Sequence, residues 1–147
     1  MKVLAHSRSE NTEGKKLAEY VTLEKLLSEA DIISLHCPLF PETEKMINRD
    51  TIYRMKNGVI LLNTSRGGLL DESAVAEALH SGKIRAAAVD VVSHEPIAES
   101  NPLLTAPNCI ITPHMAWAPI ESRRRLVDCV MENIRCFLED NPQNVVN

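Results

Sequence analysis

A doubly wound α/β sheet of parallel strands is the fold this sequence predicts, and three observations predict it. Short apolar runs recur from end to end: Val3-Leu4-Ala5, Asp31 to Leu35, Val59 to Leu62, Ile84 to Val92 and Cys109-Ile110-Ile111. They are continuous rather than alternating, which suits strands covered on both faces. Helical patterns with their own start and stop residues lie between them, and such alternation implies right-handed crossovers within a doubly wound sheet.

Each element has a local reason. The first strand, Lys2 to Ala5, runs out into His6-Ser7-Arg8-Ser9. Thr22 can cap a helix from Leu23 to Ala30, because its hydroxyl can accept a first-turn amide. Asn48 can cap Arg49 to Lys56, which Asn57-Gly58 would stop. Asp71 caps Glu72 to His80, and Ser81-Gly82 ends it. The last helix starts near Pro119, whose fixed φ suits a first turn. There Leu126, Val130, Ile134 and Leu138 recur every four residues, with Val127 and Phe137 beside them, so one stripe is apolar. The stretch from Glu95 to Pro107 reads as an irregular connection, and no internal repeat or low-complexity linker interrupts the chain.

Composition limits the function classes. A length of 147 residues fits one domain, and 44% hydrophobic with 24% charged residues suffices for a real core. The net charge is −4, and the one basic cluster, Arg123-Arg124-Arg125, reads as a solvated helix face, so no nucleic-acid partner is expected. No apolar stretch approaches the ~18 residues of a membrane span. The N-terminus MKVLAHSRSE lacks the apolar core of a signal peptide, so no membrane partner is expected either. Cys37, Cys109, Cys129 and Cys136 form no C-x-x-C pair and no ligand-like cluster with histidines. The expectation is no metal site, and reduced thiols in a cytoplasmic protein.

In open α/β sheets, ligands bind outside the carboxyl ends of the strands. Those ends collect Arg8, His36-Cys37-Pro38, Asn63-Thr64-Ser65-Arg66, Asp90 with Glu95 just beyond, and Thr112-Pro113-His114. Taken singly, Arg66 and Glu95 also read as solvated loop charges. Jointly, with His114, they suit reduction of a 2-oxo acid. Hydride arriving at a carbonyl carbon leaves negative charge on oxygen, and a positioned acid must supply a proton. His114 is the candidate acid because histidine titrates near neutral pH. A carboxylate at Glu95 can hold the imidazolium and fix its orientation. Arg66 can grip a substrate carboxylate with its planar fork and polarise the carbonyl, while Gly67-Gly68 lets backbone approach the ligand.

The stretches "HCPLFPET", "LLNTSRGGLLDESAVAEAL", "AAAVDVVSHEP" and "ITPHMAWAP" resemble successive signatures of the D-isomer-specific 2-hydroxyacid dehydrogenases, over nearly the whole chain. The form of the last, and the ending "ENIRCFLEDNPQNVVN", look most like the glycerate dehydrogenase and hydroxypyruvate reductase branch. The resemblance implies a Rossmann-like NAD(P)-binding domain. It makes Arg66 the substrate-binding arginine, Glu95 the partner of the histidine and His114 the proton donor beside the cofactor. It also places Asp90 and the Thr64 segment toward the nicotinamide, with Cys37 and Pro38 on the adenosine side. Related formate dehydrogenases carry glutamine at the glutamate position, so Glu95 argues for hydroxy-acid chemistry. The implied substrate is a small 2-oxo or 2-hydroxy acid such as hydroxypyruvate or glyoxylate.

The sequence departs from the family pattern in one place. None of its five glycines forms the G-x-G-x-x-G turn that would hold the cofactor pyrophosphate on a helix N-terminus. The chain from Lys2 matches the family's second strand. Residues 1–147 are therefore expected to be a partial NAD(P)-binding domain, lacking the first strand and glycine-rich turn, with the N-terminal substrate-side domain absent. Two strand edges would lose their partner, and the halves could close on one another, pair with a second chain or fold poorly. Weak cofactor binding and little activity are expected of this chain alone. After the first strand stands Ser7-Arg8 rather than an acid, which favours NADP over NAD. The competing readings are a non-catalytic cofactor-binding scaffold, and an inactive fragment needing a separate N-terminal partner. A homodimer is open as well.

Overall fold

The computed structural model describes residues 1–146. Asn147, the last residue of the stretch from Glu132, lies outside the described residues. Two compact units emerge, Met1–Pro113 and His114–Asn147. The first contains β1 (Leu4–Ala5), α1 (Thr12–Leu17), β2 (Glu19–Tyr20), α2 (Leu23–Glu29), β3 (Ile32–Leu35), α3 (Arg49–Arg54), β4 (Val59–Asn63), α4 (Glu72–His80), β5 (Ile84–Val89) and β6 (Cys109–Ile111). Single 3-10 turns lie at Gly67–Leu69 and Pro102–Leu104. The second unit carries α5 (Ile120–Leu138).

The caps act where the sequence places them. Thr22 accepts the Lys25 amide, Asp71 the Ala74 amide, and Asn48 those of Asp50 and Thr51. Thr51 returns the favour through its hydroxyl, which accepts the Asn48 amide at 2.9 Å. Pro119 stands one residue ahead of the first turn of α5, as its N-cap. Helix α1 and the two-residue strand β2 have no apolar period to announce them. Helix α1 buries no residue and rests on its Asn11 cap.

All strand pairs are parallel, but they form two sheets, β1-β2 and β3-β4-β5-β6. Among the described residues, no strand joins the open edges of β1 and β3. A groove of about 560 Å³ is lined from both, by Leu4 and Ala5 and by Ile33 and Leu35. The two halves do not close on one another.

In the four-stranded sheet Ile33 lies opposite Leu61, and Leu61 opposite Ala87. These residues, with Leu35, Val59 and Val89, form one buried cluster with Leu27, Ile52, Leu69, Val75 and Leu79 from the helix side. The opposite face is thinner. Ile60, Leu62, Ala86 and Ala88 are half-buried, and Ile32 and Ile110 are exposed. The expected double cover is thus complete on one face only. On α5 the apolar stripe is real but lies on the surface, with Leu126, Val130, Ile134 and Leu138 between 47% and 76% exposed. Periodicity identifies such a face without saying what covers it.

Candidate functional site

The site begins at the end of β4 with a polar residue in an apolar strand. Asn63 is fully buried. Its Nδ2 donates to the Arg66 carbonyl at 2.9 Å and its Oδ1 accepts the Ser65 amide at 3.1 Å. This side chain therefore folds residues 63–66 into a turn, a role for which asparagine is suited by its short amide. Ser65 Oγ donates to the Cys37 carbonyl at 2.6 Å, tying the end of β4 to the end of β3. Arg66 projects from the turn into solvent, with one guanidinium nitrogen 2.7 Å from the Ser65 carbonyl, and Thr64 is exposed beside it. Gly67 is required by packing, since a Cβ there would come within 1.9 Å of the Val92 backbone carbon.

That contact brings in the end of β5. The Asp90 amide donates to the Asn63 carbonyl at 2.9 Å, and the buried Asp90 carboxylate accepts the Thr112 hydroxyl from the end of β6. Glu95 lies on the following loop, exposed, with one carboxylate oxygen 3.3 Å from the Val92 amide. Arg66, Thr64, Asp90 and Glu95 are therefore on two adjoining loops at one edge of the sheet. His114 belongs to the second unit. It opens that unit with φ of +50°, and its carbonyl accepts the Trp117 indole N–H at 2.7 Å.

At the other end of the sheet edge, Ser7, Arg8, Cys37 and Pro38 all line the groove between β1 and β3. The Arg8 guanidinium stacks over the Phe40 ring, 5.1 Å from its centroid, a cation–π contact that orients the arginine. Residues 6–9 contain no acid. The parts played by Asn63, Thr112 and Phe40 are not apparent from the sequence. The only signal for Asn63 and Thr112 was a polar residue closing an apolar run.

A dinucleotide fits these residues in part. The groove and its serine and arginine suit an adenosine end, and the exposed Thr64 turn with Asp90 suits a nicotinamide end. No glycine-rich turn for the pyrophosphate lies among the described residues. Nor do they contain a group of three or more His, Cys, Asp or Glu able to hold a metal ion. No described helix is long and apolar enough to cross a membrane.

A family model described as "D-isomer specific 2-hydroxyacid dehydrogenase, NAD binding domain" matches residues 1–116. The chain belongs to this family. Hydroxypyruvate reductase of Blautia hydrogenotrophica is 55% identical over 148 residues, which span all of this chain and 46% of that protein. The NAD-complexed D-isomer specific 2-hydroxyacid dehydrogenase of Lactobacillus delbrueckii ssp. bulgaricus superposes with a TM-score of 0.88 at 33% identity, covering 99% of this chain and 48% of that one. An acyclic imino acid reductase in complex with NADPH and D-Arg gives a TM-score of 0.87 at 32% identity, over 100% of this chain and 46% of that one. This member of the dehydrogenase family thus spans about half the length of the relatives it matches.

Proposed function

We propose that this dehydrogenase chain carries the catalytic groups for reversible hydride transfer between NAD(P)H and a small 2-oxo acid of the hydroxypyruvate or glyoxylate type. The observation that supports this best is the locking of the Arg66 turn against the Glu95 loop through Gly67 and Val92. Bound nicotinamide would supply the hydride. The Arg66 guanidinium would bind the substrate carboxylate and draw charge toward the carbonyl oxygen. A ring N–H of His114 would donate the proton to that oxygen, with Glu95 holding the charged imidazole. Asp90 and Thr64 would face the nicotinamide. Ser7, Arg8, Cys37 and Pro38 would face the adenosine.

We read residues 1–147 as a partial NAD(P)-binding domain that needs a glycine-rich turn from other polypeptide, seated along the groove between β1 and β3. The open edges there favour an added strand. A homodimer through the exposed stripe of α5 is the other partner open to it. A cytoplasmic location fits four cysteines that all stand as free thiols.

Arg8, steadied by Phe40, favours NADP. Titrating the purified chain with NADPH and NADH by fluorescence tests this reading. We expect weak binding to the chain alone, and NADPH tighter than NADH once the rest of the Blautia reductase is joined to it. Arg8→Asp in that fusion should remove the NADPH preference. Stoichiometric micromolar binding by the isolated chain would overturn the need for a partner, and an unchanged preference in Arg8→Asp would overturn the role of Arg8.

A further inference from the structure

The first residue of α4, Glu72, is an acid where the helix dipole welcomes one, yet its carboxylate serves another element. One oxygen accepts the Ser93 amide at 2.7 Å, and the other accepts the Ser93 hydroxyl at 2.7 Å and Asn101 Nδ2 at 3.0 Å. Asp71, not Glu72, caps the helix. Asn101 is itself buried and held, its Oδ1 accepting the Leu103 amide at 3.0 Å. Glu72 thereby pins both ends of the segment 93–101, the loop on which Glu95 stands, to the start of a helix that follows the Arg66 turn by six residues. Charge-assisted hydrogen bonds of this kind are roughly twice as strong as neutral ones.

The geometry is directional. Ser93 turns its amide to Glu72, while the amide one residue earlier, on Val92, meets the Glu95 carboxylate at 3.3 Å. Gly67 leaves no space between the Arg66 turn and the backbone of Val92 and Ser93. A shift of Ser93 must therefore move the Val92 peptide, and with it both the Glu95 contact and the surface against which the Arg66 turn rests.

We propose that Glu72 is a positioning residue for the reaction: by clamping Ser93 and Asn101 it fixes where the Glu95 carboxylate stands relative to the Arg66 turn. This rests on the reading of Glu95 as a member of the reacting set. It adds a residue that touches neither substrate nor cofactor.

The test has one arm in the chain as it stands and one in the fusion with the rest of the Blautia reductase. In the chain, carbon-detected NMR follows the Glu95 carboxyl through a pH titration in wild type, Glu72→Ala and Ser93→Ala, with amide exchange at Leu61 and Ala87 reporting the core. The expected result is a core exchanging as in wild type, faster exchange at Ser93, and a displaced Glu95 titration. The displacement should be largest in Glu72→Ala and smaller in Ser93→Ala, which loses the hydroxyl bond but keeps the backbone amide bond at position 93 and the Asn101 bond. In the fusion, Glu72→Ala should lower kcat about tenfold with cofactor affinity unchanged, a part of the ~100-fold that a misplacement of 1 Å can cost. An intact core with a wild-type Glu95 titration in both variants overturns the proposal. Should Glu72→Ala fail to fold, Ser93→Ala decides by the same readout. A fusion without turnover, beside a displaced Glu95 titration in the chain, would sink the catalytic reading and leave the clamp standing.

Discussion

Asn63 ends an apolar strand, and a buried amide there would be costly without partners. It has them at the Arg66 carbonyl and the Ser65 amide, while its own carbonyl receives Asp90. Removing the side chain strands the Ser65 amide and takes one of two donors from the Arg66 carbonyl, which keeps the Leu69 amide at 3.3 Å. Asn63→Ala should therefore cost about 1–3 kcal/mol, the penalty for leaving buried polar groups unsatisfied, read as a lower urea midpoint with unchanged slope. Gly67 is constrained differently. Its missing side chain makes room for the Val92 carbonyl, which a Cβ would approach to 2.0 Å. Backbone cannot step aside as a side chain can, so Gly67→Ala should cost about 1–3 kcal/mol as overpacking and push the two loops apart. A wild-type urea midpoint in Gly67→Ala would show that the loops are not locked there. The sequence showed Arg66, Glu95 and His114 as charged or titratable groups at strand ends. For Asn63 it offered only a polar residue closing an apolar run, and for Glu72 nothing, because a hydrogen bond between residues 21 positions apart, as from Ser93 to Glu72, leaves no local pattern.

At the level of elements, the helices with an apolar period and the short strands β1 and β6 were legible, whereas α1 and β2 were not. Helix α4 matches its predicted span because a cap and a glycine stop bracket an apolar period. Strands β1 and β2, with two residues each, pair through backbone bonds with an exposed ion pair from Lys2 to Glu19 beside them. Glu19 on β2 receives Lys25 at 2.8 Å and Lys2 at 2.9 Å. Hydrogen bonds from Lys25 and then Lys2 hold its carboxyl down to about 2. A depressed carboxylate stabilises the folded state above its unfolded pKa and ceases to do so as pH falls through its folded one. The β1-β2 pair should thus loosen as pH falls from the ordinary glutamate range toward about 2, and salt should weaken it at neutral pH because all three side chains are solvent-exposed. The amides of Glu19 and Val21, which donate to Val3 and Ala5, would lose exchange protection before those of β4 and β5. Equal loss across both sheets would contradict this.

Over the whole molecule, the predicted α/β class and parallel strands are present, in two separate sheets. What the sequence did not reveal is which apolar faces stay open. Ile32 and Ile110 on the sheet and the stripe of α5 are exposed, because alternation and period locate a face while its cover is set by whatever packs there. Those faces and the edges of β1 and β3 are open among the described residues, and the chain matches 46% of the Blautia reductase. By the function proposed above, His114 is the acid and Arg66 the substrate clamp of a 2-oxo acid reductase. The most direct measurement is NADPH oxidation with hydroxypyruvate by the fusion of this chain to the remainder of that reductase, alongside the same fusion carrying His114→Ala. Turnover that falls by about 10²–10⁴ in His114→Ala, the usual contribution of a positioned proton donor, is the predicted result. A fusion that binds NADPH without oxidising it, or a His114→Ala form with wild-type kcat, would contradict the account.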